Sequence, residues 1–186
     1  MVKNSSIDDI FSELRKLETE REDIKFNTGA SEEEIESLKR EYAVKGSEIS
    51  DDYLAFLRFS NGAEISDIYF HSISELEEHL LLYDTNPESG KEIEGCDDVV
   101  EIASDNGDPI TIDVNSEYLI MQGRVLNTAH DSRETMVVAN NFNQFLRLLV
   151  DGVKQQYKDE SDIMLDRSRY WLQEGYKPTM DFLSLE

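Results

Sequence analysis

The chain has little that would staple it, kink it or neutralise it. Only one of its 186 residues is a cysteine, Cys96, so no intrachain disulfide can form and a reducing compartment suits it. Three prolines and nine glycines exclude a collagen-like or low-complexity chain. No apolar stretch approaches the roughly 18 residues that span a bilayer. Met1 to Asp9 is polar and acidic, without the apolar segment of a secretory signal. The expectation is a soluble, cytoplasmic protein. Cations are the largest shortage: 18 Lys and Arg stand against 41 Asp and Glu, a net charge of −23. That excludes nucleic acid and anionic membrane as partners, because both demand surplus Lys and Arg. It suits a basic partner, or simply high solubility.

What is present suffices for one domain with a real core, since a chain of this length buries about 70% of its unfolded surface. Ile7, Ile10, Phe11, Leu14 and Leu17 form an apolar stripe that predicts a helix over 7–24, capped by Ser6. Ser31 and Glu34 make a capping box for a second helix bearing Ile35, Leu38 and Tyr42. A third begins after Ser50 or Asp51 and ends at Ser60-Asn61-Gly62. Ile65 to Phe70 reads as a strand. Ser74 and Glu77 suggest another capping box and a helix through Leu82, and the turn-rich stretch 84–98 reads as a loop. Strands are expected at 99–103, 110–114, 118–121, 124–126 and 135–138, with a turn at Asp105-Asn106-Gly107-Asp108. Phe142, Phe145, Leu146, Leu149 and Val153 mark a strongly amphipathic helix. Ser161 can cap a last one, carrying Tyr170 and Trp171 and stopped at Gly175. Helices at both ends with strands grouped between them predict an α+β fold.

Gly29-Ala30-Ser31-Glu32-Glu33-Glu34-Ile35, then Leu38 and Ile49, then Asp51-Asp52-Tyr53-Leu54-Ala55-Phe56-Leu57 and Ser60-Asn61-Gly62, form an ordered pattern. It continues with the Asp105–Asp108 turn and the helix Phe142-xx-Phe145-Leu146-xx-Leu149. This order resembles the SUKH superfamily, which includes fungal cell-wall-assembly regulators and many bacterial immunity proteins. Ser50 stands where that family usually has proline, and Ala63 where it often has a second glycine. The resemblance implies an antiparallel-rich sheet of about five or six strands packed by N-terminal and C-terminal helices. The resemblance covers about Phe26 to Val150. The expectation is a single SUKH-like domain over 1–158, with 159–186, read from its own residues, as a C-terminal helical appendage. The family carries no fixed catalytic set, so no catalytic residue is assigned and no cofactor is expected.

The residues themselves agree. His71, His79 and His130 do not sit at zinc-ligand spacing with one another or with Cys96, so they read as three unrelated histidines and no metal site. Asp97 and Asp98 beside Cys96 raise a thiol pKa, which makes a poor nucleophile. The Asp105–Asp108 turn lacks the alternating oxygen ligands and distant Glu of a calcium loop. Neither a phosphate-binding glycine loop nor a Gly-x-Ser-x-Gly elbow occurs.

The distribution of charge is the remaining signal. Residues 59–123 hold 16 acids and one base, Lys91, for −15 of the total −23. Solubility alone explains this, and so does an acidic face over the strands that meets a cationic protein. The family resemblance selects the second. The expected function is an immunity protein that neutralises a cognate toxin with a basic surface, with a nuclease as one candidate. The alternative is an intracellular scaffold like the fungal regulators, though the long disordered flanks such proteins use are not evident. The candidate partner-binding residues are Glu64, Asp67, Asp97, Asp98, Asp105 and Asp108, with Tyr69 and Tyr118 as aromatic anchors.

Overall fold

A computed structural model describes residues 6–85, 92–114, 123–129, 135–158 and 180–184. The element order is α1 (Ile7–Glu20), β1 (Ile24–Phe26), α2 (Glu32–Val44), α3 (Asp51–Phe59), β2 (Ala63–Ile65), β3 (Ile68–Phe70), a 3-10 turn (Ile73–Glu75), β4 (Glu77–Thr85), β5 (Glu92–Asp105), β6 (Asp108–Asp113), β7 (Val125–Thr128), β8 (Thr135–Ala139), α4 (Phe142–Lys158) and β9 (Met180–Ser184). The fold is α+β. Among the described residues nine strands form one antiparallel sheet, more strands than the five or six expected.

The capping expected from the sequence operates at three helix starts. Ser6, Ser31 and Ser50 each accept a hydrogen bond from the backbone N–H three residues on, and Asp9 and Glu34 return the contact to close two capping boxes. Ser50 therefore does for α3 what a proline would do only through its fixed φ. The two-residue turn Asn106-Gly107 has positive φ at both positions, 53° and 91°, and joins β5 to β6 with Asp105 opposite Asp108.

Five expectations need correction. α1 ends at Glu20 rather than running to Ile24, because Arg21 turns extended and its guanidinium grips Asp23. The stretch Ile65–Phe70 is not one strand. Ser66, at φ 55°, reverses the chain between β2 and β3. The capping box lies two residues earlier than expected: Glu75 accepts from the Ser72 backbone and hydroxyl, and opens only a 3-10 turn. The next element is the strand β4, not a helix. Leu80, Leu81 and Leu82 favour a helix by propensity, but each sits opposite a residue of β5, and tertiary pairing prevails. For the same reason much of the expected loop 84–98 is strand, with Gly95 paired to Tyr83. The strand expected at 118–121 and the helix expected at 161–172 lie outside the described residues.

β5 organises the sheet. Fourteen residues long, it pairs on one edge with β6 and on the other with two strands in succession: β3 against Ala103–Asp105 and β4 against Glu92–Glu101. One face of the sheet supports the helices. Ile10 and Leu14 of α1, Tyr53, Phe56 and Leu57 of α3, and Phe142, Phe145 and Leu149 of α4 are fully buried there with Ile65, Phe70 and Ile112. Phe56 is the hub, with ring centroids 4.9 Å from Phe70 and 5.4 Å from Phe142.

Candidate functional site

Alternation along the strands turns every second residue to the face away from the helices. Register then lines up a transverse row, Lys25, Glu64, Tyr69 and Ser104, across β1, β2, β3 and β5. Tyr69 is 41% exposed; among the described residues only it and Val44 are large hydrophobics left in the open. Its hydroxyl donates to Glu75 Oε1 at 3.0 Å. That bond, partial burial and the charges of Glu75 and Glu64 raise its pKa above the usual tyrosine value. Glu64 lies directly opposite on β2 and Asp67 two residues before it in the β2–β3 turn. An aromatic ring held upright within an acidic rim is the result.

Beside Tyr69 lies a cluster that residue spacing alone did not suggest. The chain leaves β3 at Phe70, passes through the 3-10 turn and returns along the same edge of β5 as β4. His71 and His79 are thereby brought to either side of Glu101. Their Nε2 atoms lie 3.2 Å from Glu101 Oε1 and 3.1 Å from Oε2. A carboxylate only accepts, so each ring presents its Nε2–H. Burial pushes the Glu101 carboxyl up, but the two histidine contacts outweigh it and hold the group at about 2. The Tyr69 ring meets His71 edge-on at 5.6 Å between centroids. Reading His71 and His79 as unrelated is thus corrected: eight residues of separation are closed by the strand-to-strand return. Only a correct strand assignment for β4 would have revealed this.

The other sequence candidates fall into three groups. Asp105 and Asp108 flank the β5–β6 turn and are 2% and 5% exposed; Asp105 accepts from the Asn106 side chain at 3.0 Å. Asp105 thus serves the turn, and Asp108 is likewise too enclosed to meet a partner. Asp97 and Asp98 sit in the middle of β5, with Asp98 six residues from Ser104, roughly 20 Å along the strand. Tyr118 lies outside the described residues.

Neutralisation also reaches the cation-poor span from outside it. Lys25 pairs with Glu64 at 2.8 Å, and Lys45 pairs with Glu78 and with Glu41. All three pairs lie at the surface and contribute little to stability. They nonetheless show that the acidic excess is partly met by lysines of the N-terminal third. No helix among the described residues is long and apolar enough to cross a membrane.

Comparison with curated proteins and with solved structures gives no match. A profile of the SMI1 / KNR4 family (SUKH-1) matches residues 29–148, from the glycine before α2 to the middle of α4. The matched stretch takes in α2, α3 and strands β2 to β8, so the order of elements that suggested the superfamily is the order the structure builds, and the chain belongs to the SMI1 / KNR4 family (SUKH-1).

Proposed function

We propose that this protein is a binding module that recognises a basic protein through the outer face of its sheet, and that it acts as an immunity protein against a cognate toxin. The observation that carries the reading is Tyr69, exposed among Glu64, Asp67 and Glu75 on a rigid sheet. Interface hot spots pair an aromatic anchor with a polar surround, and Tyr is among the residues that most often fill the role. The net charge of −23 speeds encounter with a cationic partner. A nuclease toxin must be basic to hold its substrate, so an acidic protein seated on that cleft blocks it by occupancy alone. Glu64, Asp67 and Tyr69 form the centre of the contact, with Asp97 and Asp98 reaching it only if the partner spans half the length of β5. Such protection takes place in the cytoplasm, where the producing cell needs it.

The test is protection in cells. The chain is co-expressed with the toxin domain encoded beside its own gene, and growth is expected to be restored. Tyr69→Ala combined with Glu64→Lys should abolish protection while leaving the thermal midpoint unchanged. Toxicity undiminished by the unaltered chain overturns the proposal.

A further inference from the structure

We propose that Glu77, His79 and Glu101 bind one divalent transition-metal ion of the zinc class on the outer face of the sheet, where β4 runs beside β5. This goes beyond the partner-binding reading and does not depend on it.

Each of the three residues offers a ligand atom within 4.8 Å of the other two. His79 Nε2 and Glu101 Oε2 are 3.1 Å apart. Binding the metal displaces the proton His79 Nε2 shares with Oε2, which leaves to solvent; the two donors at that separation then both reach a metal at about 2.1 Å, subtending roughly 95°, an angle a distorted tetrahedral site accommodates. The third ligand is set by register. Glu77 stands directly opposite Glu101 across the β4–β5 pair. Like charges facing each other on neighbouring strands repel, and among the described residues no Lys or Arg pairs with either carboxylate. A cation between them converts the repulsion into shared ligation.

The support around the trio is of the kind metal sites use. Glu101 Oε1 is held by His71, which fixes the carboxylate plane and leaves Oε2 turned to His79. His79 is 4% exposed and, like Glu77 and Glu101, sits on a strand rather than a loop, so its position is well defined. One imidazole with two carboxylates is a borderline donor set. It suits zinc, manganese or iron(II); calcium prefers all-oxygen shells, and copper(I) prefers sulfur.

The experiment uses the full chain, treated with chelator and titrated calorimetrically with zinc chloride, with magnesium chloride as a parallel arm. One equivalent of zinc should bind, and magnesium should not compete at equal concentration. Cobalt(II) should give the intense visible absorption of four-coordinate geometry, which zinc then bleaches. Glu77 is exposed, so Glu77→Gln keeps the fold and should weaken zinc affinity at least tenfold. His71→Gln should weaken it by about tenfold through the loosened Glu101. His79→Gln should abolish it, with circular dichroism to confirm folding. If that chain unfolds, Glu77→Gln decides. Zinc affinity weaker than about 0.1 mM, or affinity unchanged in Glu77→Gln, overturns the proposal. In either case His71 and His79 serve only as hydrogen-bond donors to Glu101.

Discussion

Glu13 on α1 and Arg147 on α4 face each other through two parallel hydrogen bonds, Nη1 to Oε1 at 3.0 Å and Nη2 to Oε2 at 2.8 Å, across 134 positions of sequence. Lys154 also contacts Glu13, and Asp151 accepts from Arg147. The Arg147 side chain is 8% exposed, so removing its partner leaves a charge with little water to receive it. Glu13→Ala should cost about 2 kcal/mol in urea denaturation. A loss below about 0.5 kcal/mol would place the pair with ordinary surface ion pairs.

The same pair sets an acid limit. Hydrogen bonds from Arg147 and Lys154, with their charges, hold the Glu13 carboxyl at about 2 against the opposing effect of burial. The ordinary value is 4.5, so the folded state binds this proton less readily than the unfolded chain. The stabilisation is complete above pH 4.5 and drains away as pH falls towards 2. In Glu13→Gln the thermal midpoint should vary less with pH across that window than in the parent chain. Parallel profiles for the two proteins would exclude Glu13 as a contributor.

Gly29, where the family match begins, has no room for a side chain. A Cβ there would lie 1.8 Å from the carbonyl oxygen of Arg58, a backbone atom of α3. The adjacent Ala30 N–H donates to Leu57 O at 2.8 Å, which holds the two segments together. Gly29→Ala should lower stability by about 1–3 kcal/mol and broaden the amide signals of α3 in NMR spectra. A midpoint shift within error would show that the segment can move aside.

Charge reversals should separate into two kinds. Glu64→Lys acts on the exposed rim, so it should slow association with a basic partner and flatten its salt dependence without changing stability. Asp108→Lys places a cation at a buried position and should lower the thermal midpoint instead. Stopped-flow association and calorimetry distinguish the two. A faster encounter for Glu64→Lys would point the partner elsewhere.

The helices that pack the core were readable because apolar spacing and serine caps agree with each other: Ser31 with Ile35 and Leu38, Ser50 with Leu54 and Leu57, and the long stripe from Phe142 to Val153. The hairpin at Asn106-Gly107 was readable for a similar local reason. The β4–β5 pair was not. Leu80 to Leu82 carry helical propensity, and nothing in their neighbourhood announces the partner strand fifteen or so residues on. That misreading hid His79, and with it Glu101. Composition pointed to an acidic middle but was silent on location: Asp105 and Asp108 went inside, while Lys25 and Lys45 arrived from earlier helices and strands.

Because β3 and β4 lie end to end along a single edge of β5, the Glu101 carboxylate is gripped from both sides of the seam between them. Sliding β4 by one position would swing His79 through to the helix side, and shifting β3 would draw His71 off its oxygen. One glutamate thus pins the alignment of two independent strand pairings, in a stretch whose leucines would tolerate several.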